Sequence, residues 1–253
     1  MAQIIVNGRR LNCAEGEYIL DICRRSNINI PTLCQHDAVE PWGGCRLCTV
    51  EISNPKWPGW KMHVTSCLYP AEDGLVVRTN TKEVREIRAV LLDLLLARCP
   101  NSELIQELAN EYGVSETSYI PREEANDCIL CGLCVRTCDE VIGCTAISAS
   151  SRGVSKEIST PLKEAPPDCI GCAACAYVCP TGVIQIMQTP THRVIWDRTF
   201  EMLTCKECGR ANITREQRDW MTRKFDLPAD YYDLCDFCKR KNVTSVQKTL
   251  AKF

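Results

Sequence analysis

Two stretches decide how this chain is read: CILCGLCVRTC, Cys128–Cys138, and CIGCAACAYVCP, Cys169–Pro180. Each is a C-x2-C-x2-C-x3-C run, placing Cys128, Cys131, Cys134 and Cys138 in the first and Cys169, Cys172, Cys175 and Cys179 in the second. Three thiolates on one tight loop grip one face of a cuboidal [4Fe-4S] cluster and leave its fourth iron to be reached from elsewhere, so two runs point to two such clusters. Gly132 and Gly171 suit loops whose backbone must approach inorganic sulfide closely, because neither carries a Cβ. A zinc site draws on paired cysteines rather than runs of four, and a disulfide framework belongs to an exported chain.

The runs resemble those of bacterial two-cluster ferredoxins, in which the fourth cysteine of each run ligates the other cluster. The resemblance implies one set of Cys128, Cys131, Cys134 and Cys179, and a second of Cys169, Cys172, Cys175 and Cys138. Pro180 follows the second run as that pattern expects, whereas Asp139 stands where the first would have proline. Cys144 is left over, and reads as a small side chain buried near a cluster.

The whole composition agrees with metal. Twenty cysteines in 253 residues are far above ordinary usage, and the start MAQIIVNGRR has no apolar core of a signal peptide, so the expectation is a cytoplasmic chain with metal ligands rather than disulfides. Ala89–Ala97 is too short and too interrupted to span a bilayer. Thirty basic against 32 acidic residues give a net charge of −2 without a basic block, which argues against nucleic acid as a partner. Neither common nucleotide-binding fingerprint is present.

At the N-terminus, Gln3–Val6 and Arg9–Ala14 flank Asn7-Gly8, a strong hairpin signal. Glu17–Arg25 follows as a helix with Ile19, Leu20 and Cys23 on one face, and Pro31 stops it. Cys34, Cys45 and Cys48 then stand at C-x10-C-x2-C, with Cys67 following after eighteen intervening residues. Four such thiolates suit a [2Fe-2S] rhomb. His36 reads as a loop-structuring residue, since four cysteines already complete the site. Trp57 and Trp60, in NPKWPGWK, form either a docking patch or an aromatic pair folded back on the domain.

From the VNG hairpin through PTLC and GGCRLCTVE, this region resembles the start of the large iron–sulfur subunit of respiratory complex I, and the diaphorase iron–sulfur subunits of NAD-linked hydrogenases and formate dehydrogenases. The likeness runs through most of residues 1–189. It implies an α+β chain: a β-grasp [2Fe-2S] ferredoxin domain at 1–78, a helical linker at 79–120, and a bacterial-type domain with two [4Fe-4S] clusters at 121–189. In that family a site of one His and three Cys lies in the linker. Here the linker has Cys99 alone, expected in the core, just after a helix Thr81–Arg98 whose Val84, Ile87, Leu91, Leu94 and Leu95 recur at helical spacing. A second helix is expected over Glu103–Tyr112.

Residues 190–253 carry Cys205-x2-Cys208 and Cys235-x2-Cys238, two knuckles able to give one zinc ion a tetrahedral shell, with a further iron–sulfur cluster as the alternative occupant. Thr214-x-x-Gln217 opens a helix between them. The zinc reading makes this a separate structural module, and expects truncation after Thr189 to leave the other clusters in place.

The resemblance implies a non-catalytic electron-transfer subunit of a hetero-oligomeric oxidoreductase. It would relay electrons between an NAD(P)H-binding flavoprotein subunit and a further redox subunit or ferredoxin, in an anaerobic assembly of hydrogenase, formate dehydrogenase or electron-bifurcating transhydrogenase type. An iron–sulfur redox sensor and a small self-contained reductase are the rival classes. The first lacks a DNA-reading face, and the second would need a flavin or substrate pocket in a chain already occupied by metal modules.

Overall fold

The computed structural model describes residues 2–122, 126–228 and 230–250. Strands β1 (Ala2–Val6) and β2 (Arg9–Cys13) pair from Ala2↔Cys13 to Val6↔Arg9. Asn7 and Gly8 both take positive φ, 49° and 82°, the backbone twist that a two-residue hairpin needs. Helix α1 (Ile19–Arg25) follows, then β3 (Thr49–Ser53), β4 (Lys61–Thr65) and β5 (Val76–Arg78). The sheet order is β2-β1-β5-β3-β4, with β5 parallel to β1 and the other pairs antiparallel. Ile19, Leu20, Ile22 and Cys23 of α1 are buried with Ile4, Val6, Val50, Ile52 and Val77, each large side chain contributing about 1.5–3 kcal/mol. Four consecutive residues of β3, Thr49–Ile52, are buried, because α2 (Lys82–Arg98) makes contacts with this strand.

Thr81 caps α2 by accepting the Val84 N–H, as its sequence position suggests. The buried face is not quite the expected one. Val84, Arg88, Leu92 and Leu96 line it, while Leu94 is 47% exposed. The stripe is displaced because Arg88, polar by type, reaches inward and satisfies backbone carbonyls there. Helix α3 (Glu103–Glu111) packs on α2, and Cys99 is fully buried between them with Leu92, Leu96, Ile105 and Ala109.

The first cysteine run continues into a short α4 (Leu133–Arg136) and a π-helical turn, Thr137–Ile142. Strands β6 (Ser148–Ser150) and β7 (Glu157–Ser159) form the hairpin inserted between the runs, and α5 (Ala174–Tyr177) lies within the second run. Beyond it β8 (Met187–Gln188), β9 (His192–Ile195), β10 (Arg198–Thr204) and β11 (Ala211–Thr214) make an antiparallel sheet in the order β11-β10-β9-β8. Helices α6 (Arg215–Phe225) and α7 (Asp236–Leu250) follow.

Two compact units result, and their borders differ from the divisions expected at 120 and 189. One comprises Met1–Thr137 with Val178–Val183, the other Cys138–Tyr177 with Ile184–Phe253. The chain exchanges units within each cysteine run, after Thr137 and after Tyr177. Among the described residues no helix is long and apolar enough to cross a membrane.

Candidate metal centres

In the first unit, Cys34, Cys45, Cys48 and Cys67 come together as two pairs. Cys48 and Cys67 Sγ stand 3.4 Å apart. The Cys45 N–H donates to Cys34 Sγ at 3.3 Å, and the Leu33 N–H to Cys45 Sγ at 3.5 Å. Each pair holds one thiol down: the Cys34 thiol beside it sets Cys45 at about 6, and the Cys67 thiol sets Cys48 at about 7. Two thiolate pairs, each able to take one iron, match the donor set of a [2Fe-2S] rhomb. His36 Nδ1 accepts the Ala38 N–H at 3.1 Å, within its own loop. Arg88, 2% exposed, donates Nε to Leu47 O at 2.9 Å and Nη2 to Thr49 O at 2.8 Å, bracketing Cys48.

The first run lies against this site. Cys45 and Cys131 line one cavity with Gly44, Leu91, Leu95, Arg98 and Ile129. Burial first, then the charges of Cys179, Cys128 and Cys45, push the Cys131 thiol up to about 11. The ring of Trp42 faces both loops: a Cβ on Gly44 would meet it at 2.5 Å and one on Gly132 at 3.1 Å. Arg136 lies over that ring at 5.6 Å and donates to the carbonyl oxygens of Glu40 and Cys34. Arg98 Nε donates to Cys128 O at 2.7 Å.

In the second unit Cys138, Cys169, Cys172 and Cys175 line one cavity, walled by Ile142, Ala146, Ile147, Ile170, Ile195 and Trp196. The unpaired Cys144 lines it too, its thiol pushed up to about 11 by burial. An apolar chamber ringed by thiols is unfavourable for bare thiolates and suits a cuboidal cluster that spreads their charge over iron. The C-terminal sheet closes this chamber. Trp196 Nε1 donates to Cys175 Sγ at 3.5 Å, Arg198 Nη1 to Cys169 O at 2.8 Å, Arg193 Nη1 to Gly171 O at 2.7 Å and Thr214 Oγ1 to Ile170 O at 2.5 Å. Side chains after residue 189 thus wall this chamber, and truncation after Thr189 would remove them. The spacing of Cys205, Cys208, Cys235 and Cys238 pointed to a separate module because it says nothing about the side chains on the strands before and between the knuckles.

Those four thiols have all their Sγ atoms within 4.8 Å of one another, and Cys208 and Cys235 stand 3.7 Å apart. With a zinc–sulfur bond of about 2.3 Å, a tetrahedral shell has edges of roughly 3.8 Å, and a single ion bridges at most about 4.6 Å. Four thiols gathered this closely could hold a metal ion. Among the described residues it is the one group drawn this tightly. The Cys235 N–H donates to Cys205 Sγ at 3.3 Å and heads the causes that lower Cys205 to about 6. Thr214 caps α6 by accepting the Gln217 N–H at 3.1 Å.

Residues 1–82 match the 2Fe-2S iron-sulfur cluster binding domain and residues 127–183 the 4Fe-4S dicluster domain. Relatives include an NADH-quinone oxidoreductase subunit of Rhizobium meliloti, 29% identical over 87% of this chain and 29% of that one. They also include NADPH-Fe(3+) oxidoreductase subunit alpha of Geobacter sulfurreducens, 30% identical over 73% of this chain and 24% of that one. NADP-reducing hydrogenase subunit HndD of Solidesulfovibrio fructosivorans is 29% identical over 78% of this chain and 37% of that one. This chain is an iron–sulfur homologue of these oxidoreductase subunits. It spans 24–37% of their lengths. A crystal structure of an NAD+-reducing [NiFe]-hydrogenase in the H2-reduced state superposes with a TM-score of 0.54 at 28% identity, covering 63% of the iron–sulfur chain described here and 74% of the hydrogenase chain.

Sequence reading of this iron–sulfur homologue missed the side chains that wall its sites: Trp42, Arg88, Arg136, Arg193, Trp196 and Arg198. Arg136 stands within the first run and the others outside the cysteine motifs, and cysteine spacing carries no signal for any of them. The one available hint was Arg88, a charged residue on the apolar stripe of an amphipathic helix.

Proposed function

We propose that this chain is an electron-transfer subunit, relaying electrons through one [2Fe-2S] and two [4Fe-4S] clusters between an NAD(P)H-linked flavoprotein subunit and a further redox subunit. The assembly is of hydrogenase, formate dehydrogenase or electron-bifurcating transhydrogenase type. The observation that carries the reading is the shared cavity of Cys45 and Cys131, which supports a [2Fe-2S] donor set beside the first [4Fe-4S] donor set. The linker cluster of the wider family is dispensable on this view, because the first two stations already adjoin.

Iron–sulfur clusters accept and release single electrons at potentials tuned by burial, charge and hydrogen bonds to sulfur. The chain's own side chains hold, wall and orient. Cys34 with Cys45, and Cys48 with Cys67, hold the first centre in the five-stranded sheet domain, which supports a β-grasp assignment. Cys128, Cys131, Cys134 and Cys179 hold the second centre, and Cys138, Cys169, Cys172 and Cys175 the third. Trp42 and the isoleucines of the second chamber exclude water. Cys205, Cys208, Cys235 and Cys238 hold zinc, which is redox-silent and ties the C-terminal knuckles together.

Metal analysis and reduction of the pure chain test this together. Fully loaded protein is expected to hold about ten iron and about one zinc, from 2 + 4 + 4 iron in three clusters. NADH alone is expected to leave the clusters oxidised, and NADH with the co-purifying flavoprotein to reduce them. Reduction by NADH without a partner would establish a self-contained reductase instead, and about fourteen iron without zinc would make the C-terminal set a fourth redox centre.

A further inference from the structure

Arg193 on β9 is 7% exposed and donates to neutral acceptors: Nη1 to Gly171 O at 2.7 Å, Nε to Gln188 Oε1 at 2.9 Å and Nη2 to the same oxygen at 2.6 Å. Two other arginines of its unit are ion-paired, whereas Arg198, like Arg193, donates to backbone carbonyls. Arg215 pairs with Glu201 and Arg218 with Asp219, all of them partly or largely exposed. Among the described residues no carboxylate pairs with Arg193, although a buried cation without an anion is strongly unfavourable. Gly171, whose carbonyl it holds, immediately precedes Cys172; burial opposes the charge of the guanidinium, and Tyr177 and the Cys172 thiolate favour it.

We propose that Arg193 is the buried counter-cation of the second-run cluster and raises its reduction potential. This rests on reading Cys138, Cys169, Cys172 and Cys175 as a [4Fe-4S] site. Reduction adds one negative charge to a group that is already anionic, and a fixed positive charge in a low-dielectric chamber stabilises the reduced form more than the oxidised one. Gln188 has a defined part. Its side-chain oxygen takes two guanidinium N–H groups and fixes their direction, while its neutrality leaves the positive charge to the cluster. A glutamate at this position would keep the hydrogen bonds and cancel the charge.

The test is an EPR-monitored redox titration of the full chain, purified anaerobically with its clusters. Arg193→Gln and Gln188→Glu are both expected to move one [4Fe-4S] midpoint to more negative potential, each by at least a tenfold change in the reduced-to-oxidised ratio, which is about 59 mV for one electron. The other [4Fe-4S] midpoint is expected to stay in place, and Arg193→Lys to retain most of the parent value. If Arg193→Gln loses the cluster, Gln188→Glu carries the test, since it removes no hydrogen bond. Midpoints unmoved in Gln188→Glu, or moved equally in Arg193→Lys and Arg193→Gln, would overturn the counter-cation role. Absence of two [4Fe-4S] signals in the parent chain would overturn the site reading itself, a separate result.

Discussion

The two cysteine runs have the same spacing and almost the same loop backbone, yet they are walled by unrelated parts of the chain. In both loops the residues flanking the second cysteine take the left-handed conformation. Leu130 and Gly132 do so in the first, with φ 53° and 73°, and Gly171 and Ala173 in the second, with φ 67° and 65°. Each run therefore spends one glycine on two positions that would both welcome it, and accepts a cost of about 1–2 kcal/mol at the other. The glycine sits on opposite sides of the cysteine because the wall approaches from opposite sides. A Cβ on Gly132 would meet Trp42 at 3.1 Å, and one on Gly171 would meet Phe200 at 2.6 Å. The wall of the first loop comes from about ninety residues upstream, and that of the second from about thirty downstream. Ligand spacing fixes what is gripped, and the recruited wall fixes how dry and how charged the grip is.

The largest effect that would break this comparison is removal of one wall. Truncation after Thr189 deletes Arg193, Trp196, Arg198, Phe200 and Thr214, and is expected to abolish the second-run cluster while leaving the first-run and [2Fe-2S] signals. EPR of the reduced protein measures this directly. Retention of both [4Fe-4S] signals would mean that the downstream wall is dispensable and the two loops are less different than their surroundings.

Exchange of the fourth ligand is next in size. Cys179 belongs to the same compact unit as Cys128, Cys131 and Cys134, although it closes the other run. Cys179→Ser is expected to damage the first-run cluster, costing up to about four iron per chain, and to spare the chamber of Cys169, Cys172 and Cys175. Loss of the second-run signal in its place would show that each run is self-contained.

The two glycines give the smallest and sharpest contrast. Gly171→Ala strains a positive φ and drives a methyl into the ring of Phe200, so the second-run cluster is expected to be lost or strongly depleted. Gly132→Ala carries the same backbone strain with a milder approach to Trp42, and most of the first-run cluster is expected to survive. Iron content and the two EPR signals, compared side by side, check the ordering. Equal losses would mean that backbone strain outweighs the aromatic contact.

Much of the chain was legible before any coordinates. The Asn7-Gly8 hairpin, the helix after it, the cap at Thr214 and the burial of Cys23 and Cys99 all follow from local chemistry that the structure keeps. The aromatic pair at Trp57 and Trp60 divided between its two readings: Trp60 packs on the sheet core, and Trp57 stays 54% exposed.

By itself, the sequence picked out the cysteine runs and pairs, because cysteine spacing is a local property of the chain. Tertiary structure alone decided what surrounds them. Arg88 turned inward on a helix whose apolar stripe pointed elsewhere, since only the folded sheet offered it the carbonyls of Leu47 and Thr49. Arg193 and Arg198 became wall residues of a loop about thirty positions away because β9 and β10 pair beneath it. The division of each run between two compact units arose in the same way. Hydrogen bonds and packing between distant segments depend on which surfaces meet, and no periodicity in the chain records that meeting.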